Sequence, residues 1–114
     1  MKILRLDTAI DGRDVTKLAA IRNGEMLGTI ELRYVKQRIA AIRQLYVHPD
    51  HRLQDIGRKL VEKCCAIALA EGGCEALSLL VRLNNFDALD FYKKLGFDCV
   101  YQDDSDWILS KPLA

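Results

Sequence analysis

Apolar and polar positions alternate through residues 1–6 (MKILRL), which predicts a first strand, and the turn-rich stretch DTAIDGRDVT after it predicts a polar connection. Two further runs, 18–22 and 26–35, flank Asn23-Gly24, the strongest two-residue hairpin signal a sequence carries. In the second run Ile30, Leu32 and Tyr34 share one face, while Thr29, Glu31 and Arg33 share the other. Lys36-Gln37-Arg38 reads as a charged turn and residues 39–47 as another strand, so the first half is an antiparallel meander.

The period changes after Pro49. Leu53, Ile56, Leu60, Val61, Cys64, Ile67 and Ala68 recur at helical spacing, which predicts a helix capped by Asp50 or His51, with Gly57 in its first turn, and ended by Gly72-Gly73. Residues 77–81 (LSLLV) form a nearly continuous apolar run, the pattern of a strand buried on both faces. With the strand ending at Val47 they make a βαβ unit, so the two strands should run parallel with a right-handed crossover. A second helix is predicted over 85–95, stopped by Gly96, and residues 97–101 and 107–110 close the chain as a hairpin around QDDSD. The fold class is α/β (α+β), a mixed sheet with an N-terminal meander, a central βαβ unit and a C-terminal hairpin.

Length and composition narrow the partners. At 114 residues and 50% apolar, residues 1–114 read as a single domain with one core and no room for a separate substrate domain. Lys and Arg number 17 against 16 Asp and Glu, so no global charge attracts nucleic acid or a membrane. No apolar stretch approaches the ~20 residues of a spanning helix and the N-terminus lacks a signal-peptide pattern, which reads as a cytoplasmic protein. Cys64, Cys65, Cys74 and Cys99 contain no C-x-x-C pair and read as buried or half-buried thiols in a reducing compartment. His48 and His51 have no third ligand nearby in sequence, so no metal is expected.

The junction LYVHPDHRLQDIG (45–57) carries the chemistry. A strand that turns into the head of a helix presents unpaired N–H groups and the positive end of the helix dipole, a seat for phosphate or pyrophosphate. Two motifs sharpen this generic signal. V47-H-P49-D-H-R52-L-Q-D55-I-G57 and N85-F-D-A88-L-D-F91-Y92-K-K-L-G96-F97 resemble the main cofactor motif and a second signature of the Gcn5-related N-acetyltransferases, and the order of elements agrees over nearly the whole chain.

The resemblance implies an acyl-CoA N-acyltransferase-like fold with splayed parallel strands and an acetyl-CoA-dependent N-acetyltransferase that acts on a primary amine of a small molecule, protein side chain or terminus. It implies that the pantetheine arm pairs along the backbone at Leu45 and Val47, and that the pyrophosphate sits on Arg52, Leu53, Gln54, Asp55, Ile56, Gly57 and Arg58. Asn85 is read both as the cap of its helix and as a group reaching the pantetheine amides. Tyr92 falls where the family places the tyrosine that serves the departing thiolate. The strand 39–47 contains no carboxylate, which leaves Glu31 as the candidate base working through water, with an ion pair to Arg33 or Arg43 as its other reading.

The chain departs from the family pattern in two places. Asp55 and Leu53 stand where glycine is frequent, and Asp55 brings a carboxylate toward the expected pyrophosphate unless it turns to Arg58 or Lys59. Residues 7–16 leave no space for the two helices that cover the acceptor in larger members, so the acceptor side should be open or completed by a second subunit as a homodimer. The alternative is a catalytically inactive acyl-CoA-binding regulatory or interaction module on the same fold.

Overall fold

The computed structural model describes residues 1–7, 15–36, 38–51 and 55–113. Strands β1 (Lys2–Asp7), β2 (Val15–Arg22), β3 (Glu25–Lys36) and β4 (Ile39–Val47) run as an antiparallel meander. Asn23 and Gly24 both take positive φ, 52° and 78°, which is the twist a tight hairpin between β2 and β3 requires. After a short 3₁₀ turn at Pro49–His51 come helix α1 (Ile56–Ala70), strand β5 (Ala76–Arg82), helix α2 (Phe86–Lys94) and the hairpin of β6 (Asp98–Gln102) and β7 (Asp106–Pro112). These strands form one sheet in the order β1-β2-β3-β4-β5-β7-β6, in which β4 and β5 are parallel and every other pair antiparallel.

The helical period read from the sequence is the buried stripe of α1. Ile56, Leu60, Val61, Cys64, Ile67 and Ala68 pack onto one face of the sheet, against Leu18, Ala20, Ile30, Leu32, Ala40 and Ile42. Burying such side chains stabilises the fold by about 1.5–3 kcal/mol each. Gly28 lets the helix come close: a Cβ there would stand 2.7 Å from the Tyr46 carbonyl oxygen and 3.3 Å from side-chain carbons of Ile56 and Leu60.

Three expectations need correction. The helix starts at Ile56, with Asp55 rather than Asp50 or His51 as its N-cap, because Asp55 is left-handed (φ 58°, ψ 18°) and breaks any continuation from the 3₁₀ turn. Leu53, placed on the helix face from sequence, lies outside the described residues. β5 is buried on one face only: Leu77, Leu79 and Val81 are covered by the α1 side, but Leu80 is 66% exposed on the opposite side. The third concerns Phe97, which precedes β6 as a fully buried core residue; its N–H donates to the Tyr92 carbonyl at 3.1 Å.

Among the described residues no helix is long and apolar enough to cross a membrane, and no three His, Cys, Asp or Glu side chains are grouped to hold a metal ion. Cys64 and Cys74 are buried and Cys65 is intermediate, as their positions suggested, whereas Cys99 is exposed on the edge strand β6.

Candidate active site

The parallel seam is short. β4 and β5 pair at Ile39–Ala76, Ala40–Leu77 and Ala41–Ser78, and beyond these positions the pairing ends. The cause lies on β4: Gln44 takes φ 55°, and the register against β3 slips between Thr29 and Glu31. A bulge of this kind bends its strand and increases the local twist, which carries β4 away from β5. Tyr46 then pairs with Thr29 and Val47 with Gly28, and the His48 N–H donates to the Leu27 carbonyl at 2.7 Å. The alternation of an antiparallel ladder therefore directs the backbone groups of Tyr46 toward β3 and those of Leu45 and Val47 toward the opening.

Helix α2 supplies the other wall of that opening. Asn85, Ala88, Phe91 and Tyr92 face Arg43, Gln44 and Leu45 across a depression of about 360 Å³. An adjoining depression of about 700 Å³ runs to the head of α1 and is lined by Leu45, Tyr46, Val47, Asp55, Gly57, Arg58, Ala88, Phe91 and Lys94. Seven of the residues singled out from sequence, Leu45, Val47, Asp55, Gly57, Arg58, Asn85 and Tyr92, thus line one continuous edge.

At the head of α1 the first intrahelical bond runs from the Lys59 N–H to the Asp55 carbonyl at 3.1 Å, so the amides of Ile56, Gly57 and Arg58 precede the helical ladder. The Ile56 side chain is fully buried, which leaves only its backbone for a ligand. Gly57 permits a close approach of two helices: a Cβ there would lie 3.2 Å from Phe91 Cζ and 3.6 Å from Val47 Cγ2. The Asp55 side chain makes no cap hydrogen bond. It accepts from Arg58 Nη2 at 3.3 Å, while Arg58 Nη1 donates to Glu62 at 2.9 Å, so the carboxylate is partnered by the next turn of its own helix. Lys94 adds a cation from α2 to the same depression.

Tyr92 is set by aromatic packing. Its ring stands edge-on to Phe97 at 5.6 Å and to Phe91 at 5.0 Å, and among the described residues no hydrogen-bond partner is found for its hydroxyl. Burial, with a smaller contribution from the neighbouring Cys64 thiol, pushes its pKa up to about 12. The group stays protonated at neutral pH and so has a proton to donate in a hydrogen bond there. Asn85 caps α2, its Oδ1 accepting from the Ala88 N–H at 3.1 Å.

Glu31 stands apart from this cluster. It is buried on β3, ion-paired with Arg33, opposite Lys17 on one neighbouring strand and Arg43 on the other, and it lines neither depression. Arg52, Leu53 and Gln54 lie outside the described residues. In the turn after β6, the Asp103 carboxylate accepts from the amides of Ser105 and Asp106 and from the Ser105 hydroxyl, and these bonds hold its pKa below the usual range. It serves its own turn.

Sequence reasoning assigned no site role to Ala88, Phe91, Lys94, Arg43, Gln44 or Arg82. Ala88 and Phe91 were inside the second motif and could have been found there. Lys94 follows Phe91 by three residues, one helical turn on, which is the only signal it carries.

Comparison with known proteins adds the following. The model of the acetyltransferase (GNAT) family matches residues 2–97. Thialysine N-epsilon-acetyltransferase of Bos taurus is 41% identical over 61 residues, 54% of this chain and 35% of that protein. Acetyltransferase SG1711 of Sodalis glossinidius is 34% identical over 90 residues, covering 79% of this chain and 60% of its own. The chain spans about a third of the length of the curated relatives it matches first. Among solved structures, PaiA N-acetyltransferase of Thermoplasma acidophilum, in complex with coenzyme A, superposes with a TM-score of 0.80 at 29% identity, over 87% of this chain and 61% of that one. Nourseothricin acetyltransferase gives 0.82 at 25% identity, over 91% and 68%.

Proposed function

This chain belongs to the acetyltransferase (GNAT) family, and from that premise we propose that it transfers the acetyl group of acetyl-CoA directly to a primary amine. The observation that carries the reading is the seam of β4 and β5, which opens after Ala41–Ser78 into a cleft with Tyr92 on one wall and the head of α1 at its end. The solved relative that holds coenzyme A supports the same reading.

The residues present suit the cofactor. The pantetheine arm extends the sheet along the β4 edge from Leu45 to Val47, as an added strand does. The pyrophosphate meets the amides of Ile56, Gly57 and Arg58, with Arg58 and Lys94 as flanking cations, and Arg52, Leu53 and Gln54 are proposed as further contacts from the motif alone. Asn85 already spends its carbonyl oxygen on Ala88, which leaves its amide N–H groups for the pantetheine.

Tyr92 stabilises the departing thiolate by donating a hydrogen bond. With its pKa at about 12 and a thiol near 8.5, complete proton transfer is uphill by about 5 kcal/mol. The hydrogen bond strengthens as charge develops on sulfur, and solvent delivers the proton afterwards. The amine must lose its own proton before attack, since a free lysine is only ~0.04% neutral at pH 7. Glu31, the candidate base, lines neither depression, so it would take that proton only through water and only by sharing its pairing with Arg33.

Calorimetric titration with acetyl-CoA tests the proposal. A dissociation constant in the micromolar range is expected; no binding at millimolar cofactor would overturn it.

A further inference from the structure

The face of the sheet opposite α1 carries a groove of about 680 Å³ that joins the cleft of Tyr92. Arg43 and Arg82 line both the groove and the cleft, so both residues border the place where the two depressions adjoin. Both residues are exposed, and among the described residues neither makes an ion pair. Glu31, opposite Arg43 in the ladder, is paired with Arg33. Asp106, opposite Arg82, also lines the groove and accepts from the Ser105 hydroxyl at 3.0 Å, so one carboxylate stands there with two guanidinium groups. Farther along, the groove is apolar, with Val35, Ala41, Leu80 and Ile108 in its walls.

Taking the proposed acetyl transfer as its basis, we infer that the acceptor is a free amino acid or close analogue: a primary amine, a carboxylate one or two carbons away, and an apolar side chain. The amine enters the cleft toward Tyr92. The carboxylate is held by Arg43 and Arg82, whose planar forks match it. The apolar side chain lies along Leu80 and Ile108, which the uncovered sheet face leaves open. With Asp106 as the one carboxylate lining the groove beside two arginines, an acceptor without the anion leaves the positive excess unmatched.

The test compares L-leucine, L-leucinamide and isoamylamine as acceptors, with release of the coenzyme A thiol as the readout. Leucinamide has the shape of leucine without the charge. Its amine is also the less basic one, because no carboxylate stabilises its ammonium form, so simple reactivity favours the amide. The inference expects kcat/KM for leucine to exceed that for leucinamide at least tenfold, as a charge-assisted hydrogen bond supplies. Arg43→Gln and Arg82→Gln should each bring the ratio toward one, and Arg43→Lys and Arg82→Lys should keep part of it. Calorimetry with acetyl-CoA on each variant verifies that the fold is retained.

Equal or faster turnover of leucinamide, or a preference unchanged in both Gln variants, overturns the inference and leaves acetyl transfer standing. Acetyl-CoA binding without turnover of any of the three acceptors also overturns it. Failure to bind acetyl-CoA removes both.

Discussion

Arg58 and Asp55 are joined at the head of α1, Nη2 of the arginine donating to Oδ2 of the carboxylate at 3.3 Å. The pairing turns the one acid in the phosphate seat toward a cation one turn along. It also shares Arg58 with Glu62, so neither carboxylate has sole use of it.

Replacing Asp55 with glycine removes a charge that, at ~5 Å from a pyrophosphate, opposes binding by about 1 kcal/mol in water. It also relieves a non-glycine residue of its left-handed conformation, worth a further ~1 kcal/mol of stability. Asp55→Gly is therefore expected to bind acetyl-CoA about fivefold more tightly and to melt a few degrees higher. Calorimetry at low and high salt checks the origin of the effect, because the electrostatic part shrinks as salt rises. Weaker binding in the variant would show that the carboxylate positions Arg58 for the cofactor.

Tyr92→Phe keeps the ring edge-on to Phe97 and deletes only the hydroxyl. Turnover should fall by roughly tenfold to a hundredfold while the acetyl-CoA dissociation constant stays within about twofold. Rapid mixing of enzyme, cofactor and saturating amine separates the two quantities. Equal turnover would remove the hydroxyl from the reaction.

Glu31→Gln tests the base. If water relays a proton to Glu31, the rate should drop by about tenfold or more near neutral pH and recover as the medium becomes alkaline and the ammonium loses its proton unaided. If the residue only anchors Arg33, the loss would appear as a lower melting temperature with no change in the pH profile.

Alkaline pH should destabilise the fold through two buried acids. Burial pushes Cys64 from 9.0 up to about 12, and Tyr92 from 10.0 up to about 12. In both cases the folded pKa is raised, so the unfolded chain releases its proton first; their stabilising effect is complete below pH 9 and is lost as pH climbs toward 12. Melting curves across this window should show a steep fall in Tm. Cys64→Ala, though less stable throughout, should flatten the slope from pH 9, and Tyr92→Phe should flatten it only above pH 10.

A methyl group at Gly28 has nowhere to go. The Tyr46 carbonyl, at 2.7 Å from the added carbon, belongs to backbone that the β3–β4 ladder fixes. Gly28→Ala should lose about 1–3 kcal/mol, read as a lower midpoint in urea unfolding. Gly24→Ala meets no atom within 4 Å but takes φ 78°, so its smaller loss would come from backbone strain alone.

Much of this architecture is written in local pattern. Asn23-Gly24 marks its hairpin, the stripe from Ile56 to Ala68 marks the buried side of α1, and Asn85 caps the helix it appeared to cap. The sequence-derived features that failed depend on tertiary context. Nothing around Gln44 announces a positive φ, because the residue is forced there by a register slip between strands distant in sequence. Leu80 lies in an apolar run that resembles a doubly covered strand, yet no described element covers its side of the sheet. Asp55 looked like an intruder in a glycine position; its partner, Arg58, three residues away, could be named from helical spacing, but the direction of the side chain could not. Arg43 and Arg82 are separated by 39 positions and line one cleft only because their strands, paired at the seam, part beyond it.

The seam also divides the molecule in time. β1 through β4 close by hairpins between neighbours in sequence, and β6 with β7 does the same, whereas Ile39–Ala41 must find Ala76–Ser78 across the whole of α1. Loop closure over that distance is the slow kind of contact. Assembly should therefore leave two early units waiting on one late parallel junction, and a ligand lying along that junction would reach the chain at the step where it has the least holding it together.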